Sequence, residues 1–173
     1  MVVWIIGLSG SGKSTLANEV VSRANKIHRN TILLDGDVVR EMFGNDLGYS
    51  VEDRKKNALR ICQLGKFLSE QGINVVTAIL SLFPESRQWN RDNIENYYEV
   101  YIDCPMDDLI KRDSKGIYSK FKSGEITNVA GMDIKFEKPH SSDLVINNVY
   151  SKKALLGFAE KILEKMLERN DPV

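Results

Sequence analysis

The sequence predicts a three-layer α/β fold, a parallel sheet of about five strands covered by helices on both faces, and three observations predict it. Short apolar, β-branched runs alternate with stretches of helical period, the pattern of right-handed βαβ units. The first of those runs, Val2 to Ile6, leads directly into Gly7-Leu8-Ser9-Gly10-Ser11-Gly12-Lys13-Ser14-Thr15. This stretch satisfies G-x-x-x-x-G-K-[ST], and a strand before it with a helix after it is the setting a phosphate-binding loop requires. At 173 residues the chain also fits one domain of ordinary size with a proper buried core. We therefore read residues 1–173 as a single P-loop NTPase or kinase domain.

Taken in order, Val2 to Ile6 is a buried strand, and Lys13 to about His28 is a helix with Ala17, Val20, Val21 and Ala24 on one face. Thr31 to Leu34 forms a second strand that delivers Asp35-Gly36-Asp37 at its carboxyl end, where open α/β sheets place ligand-binding groups. Ser50-Val51-Glu52-Asp53 is a capping box with Asp in the Glu position; it opens a helix carrying Ala58, Ile61, Leu64, Gly65 and Leu68, which Gly72 closes. Ile73 to Leu80 is the third strand, Pro84 suits the first turn of a helix reaching about Asn96, and Tyr98 to Ile102 is the fourth strand. Met106 to Arg112 is a short helix. From Asp113 to Lys138 the period fails, with Gly116, Gly124 and Gly131 punctuating a polar, lysine-rich stretch, and we expect an irregular lid. Leu144 to Ile146 is the last strand, and the closing helix sets Leu155, Phe158, Ala159, Ile162, Leu163 and Met166 on one face.

Lys plus Arg and Asp plus Glu number 24 each, so the formal charge is zero and the expected partners include neither nucleic acid nor an anionic membrane. Phosphate affinity must then be local. The apolar start is too short for a membrane span or the full anatomy of a signal peptide, and the expected location is cytoplasmic. Cys62 and Cys104 stand far apart without a C-x-x-C pattern, which argues for free thiols rather than zinc or a disulfide framework. His28 and His140 are isolated, and a surface or lid place suits them better than metal ligation.

The chemistry starts at the glycine loop. Glycines allow its backbone to turn tightly and aim N–H groups inward, and the helix that follows adds partial positive charge. In that geometry Gly10, Ser11, Gly12, Lys13, Ser14 and Thr15 bind the donor ATP, Lys13 meeting the β and γ phosphates and the Ser14 hydroxyl ligating Mg²⁺. The second strand narrows the reaction. Asp35 and Asp37 suit a hydroxyl acceptor, one carboxylate orienting the hydroxyl and accepting its proton, the other holding the Mg²⁺ side.

With those residues in place, the chain resembles the adenylylsulfate kinase family almost end to end. The likeness runs through Gly7 to Thr15, Leu34-Asp35-Gly36-Asp37 with Arg40, Asp46-Leu47-Gly48-Tyr49-Ser50, Asp53-Arg54 with Asn57 and Arg60, Asp103-Cys104-Pro105, Arg112-Asp113 with Lys115-Gly116-Ile117-Tyr118, Gly124-Glu125-Ile126 and Gly131-Met132-Asp133. The resemblance implies transfer of the ATP γ-phosphate to a ribose 3′-hydroxyl, with Mg²⁺ as cofactor and a small nucleotide as acceptor. Asp37 then faces the 3′-hydroxyl and Asp35 the metal, although the two roles can be exchanged. Arg40, Arg54 and Asn57 form the acceptor's anionic clamp, Arg60 adding to it, Lys115 is a lid cation over the phosphates, and Arg112 flanks the donor adenine. Ser81 lies where some members carry a phosphorylatable serine. Members of the family pair as dimers, so a homodimer is implied too.

The likeness departs at the acceptor. Where the family places a lid phenylalanine to stack on adenine, this chain has Val129, and Leu82 replaces a proline common after the serine. The remaining aromatic wall is Tyr49 or Phe43. Losing a stacking partner is worth about 1–3 kcal/mol per base, which favours a different base. A branch of the family acting in capsule biosynthesis phosphorylates cytidine diphosphoramidate, and Val129 leans the expectation towards that acceptor; the alternative is adenylyl sulfate itself, as in sulfate assimilation. Two further readings are a kinase of another small hydroxyl compound and an ATP-gated regulatory protein.

Overall fold

The computed structural model describes residues 1–27, 29–148 and 151–168; His28 lies outside them. Five strands, β1 (Val2–Ile6), β2 (Thr31–Asp35), β3 (Asn74–Ile79), β4 (Tyr97–Asp103) and β5 (Leu144–Asn147), make one sheet in the order β2-β3-β1-β4-β5, and every pairing is parallel. The first strand to be made is therefore the central one. Its two-residue alternation divides the core: Val3 and Ile5 face α1 (Lys13–Lys26) and α7 (Lys152–Glu168), while Val2, Trp4 and Ile6 face α3 (Val51–Glu70) and α4 (Pro84–Asn93). Side chains of this size contribute roughly 1.5–3 kcal/mol each when fully buried, and all five are fully buried here. The glycine loop is thus anchored to the central, fully buried strand of the sheet. Among the described residues no helix is long and apolar enough to cross a membrane.

Local chemistry sets the helix ends. Ser50 caps α3 by accepting the Asp53 N–H at 3.1 Å, but Asp53 does not return to Ser50; its Oδ2 accepts the Gly48 N–H at 3.1 Å and so folds the preceding loop onto the helix. At the other end Gly72, at φ +77°, lets the Ile73 N–H reach the Leu68 carbonyl and its own N–H reach Ser69, the paired bonds that close a helix. α4 begins with Pro84 as expected and ends at Asn93, three residues short of the expected end. The reason is Ile94, which takes extended backbone and buries its side chain under the sheet.

The structure adds one helix and corrects one expectation. Gly36 and Asp37 open α2 (Gly36–Met42), an element without a counterpart in the sequence reading: the Asp35 carboxylate accepts the Asp37 N–H at 2.9 Å and caps it. The stretch 113–138 is also more ordered than its glycines suggested. α5 (Met106–Arg112) leads into α6 (Ile117–Lys122), whose first turn is held by Asp113, its carboxylate accepting the N–H groups of Tyr118 and Ser119 at 3.1 and 2.9 Å. Cys104, Leu109, Tyr118 and Val129 form a separate small core there, with Leu8, Ile117, Phe121 and Ile126 packed around it. A six-residue helix is too short to show a period in sequence.

Candidate active site

The glycine loop closes tightly on the first helix. Gly10 and Gly12 adopt φ +78° and +100°, a region L side chains rarely enter, and a Cβ on Gly12 would lie 2.5 Å from Leu155 Cδ2 and 3.2 Å from Asn148 Nδ2. Ser11 is fully buried; its carbonyl accepts Asn148 Nδ2 at 2.7 Å, and Tyr118 donates its hydroxyl to the Ser9 carbonyl at 2.9 Å. Asn148 was not singled out from sequence, and Tyr118 entered only as part of the family likeness, because nothing local marks a side chain that braces a loop more than a hundred residues away. α1 starts at Gly12 without a side-chain cap, so its first N–H groups stay open to an anion.

Lys13 Nζ donates to the Leu8 carbonyl at 2.8 Å, curled back over the loop. Burial, and after it repulsion from Lys115, pulls its pKa down to about 8 against the opposing pull of Asp35 and Asp37. A triphosphate favours the protonated ammonium. ATP binding is therefore expected to take up a proton above pH 8, where the free protein has lost it, and to weaken as pH rises further. Calorimetry at pH 8.5–9 in buffers of different ionisation enthalpy reads that uptake directly, and a buffer-independent heat would contradict it.

The paired carboxylates part company. Asp35 Oδ2 accepts the Ser14 hydroxyl at 3.1 Å, on the side of the glycine loop. Asp37 faces the other way, Oδ2 lying 3.2 Å from Lys115 Nζ and Oδ1 3.6 Å from Arg40 Nη1. Sequence left these two positions exchangeable; in the folded chain their contacts differ.

These groups open into one cleft of about 710 Å³, lined on the loop side by Ser9, Gly10 and Gly12 to Thr15 and, as a second compartment, by Arg40, Tyr49, Arg54, Asn57, Ser81 to Phe83 and Val129. Arg40 is buried, and its guanidinium lies 4.7 Å from the Tyr49 ring centre; that of Arg54 lies 5.3 Å away. Burial and then repulsion from Arg40 lower the Arg54 pKa. Two cations crowded around one ring fit an anion between them. Arg40 Nε and Asn57 Oδ1 are buried without a hydrogen-bond partner, as groups awaiting a ligand would be. Arg54 also latches the segment opposite, donating to the Asn128 carbonyl at 2.9 Å, while Asp133 accepts the N–H groups of Asn128 and Val129 at 2.7 and 2.6 Å. Val129, 5% exposed, lines the cleft and packs into the small core at once.

Three expected neighbours lie elsewhere. Arg60 pairs with both oxygens of Asp46 at 3.0 and 2.8 Å and lies 4.0 Å from the Phe43 ring, so neither Arg60 nor Phe43 lines the cleft. Arg112 is not among the residues lining the cleft; it donates to the carbonyl of Asn148, whose amide in turn donates to the Ser11 carbonyl of the glycine loop, at 3.0 and 2.7 Å. Ser81 does line it, but its hydroxyl accepts the Trp4 indole N–H at 3.4 Å and only 7% of the residue is exposed, a poor position for receiving phosphate. Phe83, which the sequence reading passed over, lines the cleft too.

A glycine loop at one end, a cation-rich compartment at the other and a carboxylate between them define a P-loop kinase. A family model described as adenylylsulphate kinase matches residues 1–147, and the chain belongs to that family, whose members pass phosphate from ATP to a nucleotide. Cytidine diphosphoramidate kinase of Campylobacter jejuni is 44% identical over 147 residues, 85% of each chain. Adenylyl-sulfate kinase of Pseudomonas aeruginosa is 38% identical over 99% of this chain and 87% of its own. Among solved structures, the Mycobacterium tuberculosis APS kinase in complex with AMPPNP and APS superposes with a TM-score of 0.88 at 32% identity, covering 96% of both chains. Membership of an enzyme family sets aside the ATP-gated regulatory reading.

Proposed function

We propose that this chain, acting as one kinase domain over residues 1–173, transfers the γ-phosphate of ATP to the ribose 3′-hydroxyl of a cytidine nucleotide, cytidine diphosphoramidate being the acceptor in view. The observation that carries the base preference is Val129. It occupies the cleft wall where the family resemblance calls for an aromatic, and it offers no π face to a purine. The C. jejuni relative, named for that acceptor, supports the same choice. Adenylyl sulfate is the second reading, supported by the P. aeruginosa relative and by the M. tuberculosis likeness.

In this reading Asp37 accepts the 3′-hydroxyl proton as O3′ forms its bond to Pγ and the bond from Pγ to the β–γ bridging oxygen breaks, releasing ADP. Lys13 and Lys115 hold the phosphates from opposite sides, with residues 113–138 as the lid, and Arg40, Arg54, Asn57 and Tyr49 hold the acceptor. Ser14 and Asp35 would hold Mg²⁺. Their oxygens meet beside the glycine loop, 3.1 Å apart, and at such sites Mg²⁺ takes one or two protein oxygens with phosphate and water completing the shell. Bound there, the ion neutralises charge on the β and γ phosphates. A homodimer follows from the resemblance alone and is checked by sedimentation.

The acceptor is decided by ADP release with ATP, Mg²⁺ and either cytidine diphosphoramidate or adenylyl sulfate. We expect kcat/KM at least about tenfold higher on the cytidine compound, the discrimination a lost stacking partner provides. Efficient turnover of adenylyl sulfate with none on the cytidine compound would give the second reading the place of the first.

A further inference from the structure

We propose that Arg87 is a positioning residue for acceptor recognition: it holds the turn Ser81 to Phe83 so that the Phe83 ring meets the acceptor base. The inference deepens the proposed function and rests on its assignment of the second compartment to the acceptor.

The first observation is strain. Ser81 adopts φ +52° with a side chain attached, a conformation that persists only where its surroundings enforce it and that gathers at functional sites. Two buried groups enforce it. Arg87 Nη1 donates to the Ser81 carbonyl at 2.9 Å, and Trp4 Nε1 donates to Ser81 Oγ at 3.4 Å. Trp4 is fully buried and Arg87 is 8% exposed. Among the described residues Arg87 forms no salt bridge; Glu85 and Glu137 lie near enough to feel its charge, yet the hydrogen bond its guanidinium makes goes to the Ser81 carbonyl. A buried donor aimed at a backbone carbonyl fixes where that carbonyl sits.

The second observation is what the turn carries. Ser81, Leu82 and Phe83 all line the cleft, beside Asn57, Ala58 and Ile61, whereas Arg87 does not and can act only through them. Tyr49 and Phe83 are the aromatic residues that line the cleft among those described. The Tyr49 ring already has the guanidinium groups of Arg40 and Arg54 at 4.7 and 5.3 Å. Val129 has no ring to offer. Phe83 is left to supply a stacking face to the base, and the position of that face is set by a turn that Arg87 locks.

The test compares the parent with Arg87→Met, Arg87→Lys, Phe83→Leu and the Arg87→Met/Phe83→Leu double variant. Steady-state kinetics is read on cytidine diphosphoramidate and adenylyl sulfate, and calorimetric binding of cytidine 5′-diphosphate and adenylyl sulfate is measured in parallel. Arg87→Met and Phe83→Leu should each raise the acceptor KM or Kd about tenfold while the KM for ATP stays within about twofold. Arg87→Lys, keeping a donor, should recover most of the loss, and the double variant should be little worse than either single one, because both act on one surface. Unchanged acceptor constants in Phe83→Leu or in Arg87→Met, equal rises in both substrates' constants, or multiplying effects in the double variant would overturn the inference. A chain that binds these nucleotides yet phosphorylates neither acceptor fails the proposed function, while the binding constants still decide the role of Arg87.

Discussion

An Asp37→Asn chain is expected to bind ATP at least as well as the parent and to transfer phosphate roughly 10²–10⁴ times more slowly, the range that removing a general base covers. Asparagine keeps the size of the side chain, and the Asp37 backbone is fixed independently, its N–H held by Asp35 Oδ1 at 2.9 Å in the first turn of α2. What disappears is the negative charge between Lys115 and Arg40, at 3.2 and 3.6 Å. Those cations then have more field to offer an incoming phosphate, which is why ATP affinity should hold or rise while the rate falls. A folding defect would lower both. Single-turnover transfer and calorimetric ATP binding, measured on the same preparation, separate the two. Transfer at the parent rate would remove Asp37 from the reaction and return proton acceptance to Asp35 or to the phosphate itself, an outcome a loose phosphoryl transition state makes chemically reasonable.

The contacts of Asp37 are also what the sequence could not supply. Asp35-Gly36-Asp37 was legible as a candidate stretch, because a buried strand must end somewhere and two carboxylates after it are conspicuous. Their different surroundings were not legible, since they depend on Gly36 starting a helix that turns one carboxylate toward Ser14 and the other toward Lys115, 78 residues away. The same distinction runs through the molecule. Period, glycine spacing and caps fixed β1, α1 and α3 to within a residue or two because those signals are local, as the Ser50 cap and the Gly72 ending show. Arg60 and Phe43 looked like clamp and wall from their neighbours in sequence, yet they satisfy each other and Asp46 at the surface. Asn148 was invisible for the opposite reason: its amide donates to the Ser11 carbonyl, 137 residues away, which only the folded sheet brings near.

Replacing Lys13 by methionine should abolish the ATP-dependent rise in melting temperature and cut transfer by at least about 10²-fold, without destabilising the free protein. The two halves of that expectation come from one observation. In the folded chain the Lys13 pKa falls from 10.5 to about 8, so at neutral pH the ammonium is held charged in a place that disfavours its charge. A group whose pKa is lowered on folding weighs against the folded state below its folded pKa, and that penalty fades as pH rises from about 8 towards 10.5. Methionine removes the penalty and keeps the apolar stem; it gives up the bond to the Leu8 carbonyl, worth about 0.5–1.5 kcal/mol, or somewhat more because the donor is charged. The penalty removed is at least as large as the bond given up, and the melting temperature without ligand should be no lower than that of the parent. With ATP the balance changes. A ligand at 100 times its Kd stabilises by about 2.7 kcal/mol, and the phosphate contacts that supply it include the ammonium now missing. Thermal melting with and without ATP, repeated at pH 7 and pH 9, therefore carries two checks: the parent's ATP-induced shift should shrink as Lys13 loses its proton, and the Lys13→Met shift, already small, should not follow that trend. A variant that melts well below the parent in the absence of ATP would show that Lys13 supports the loop structurally, and would break the link between its displaced pKa and phosphate binding.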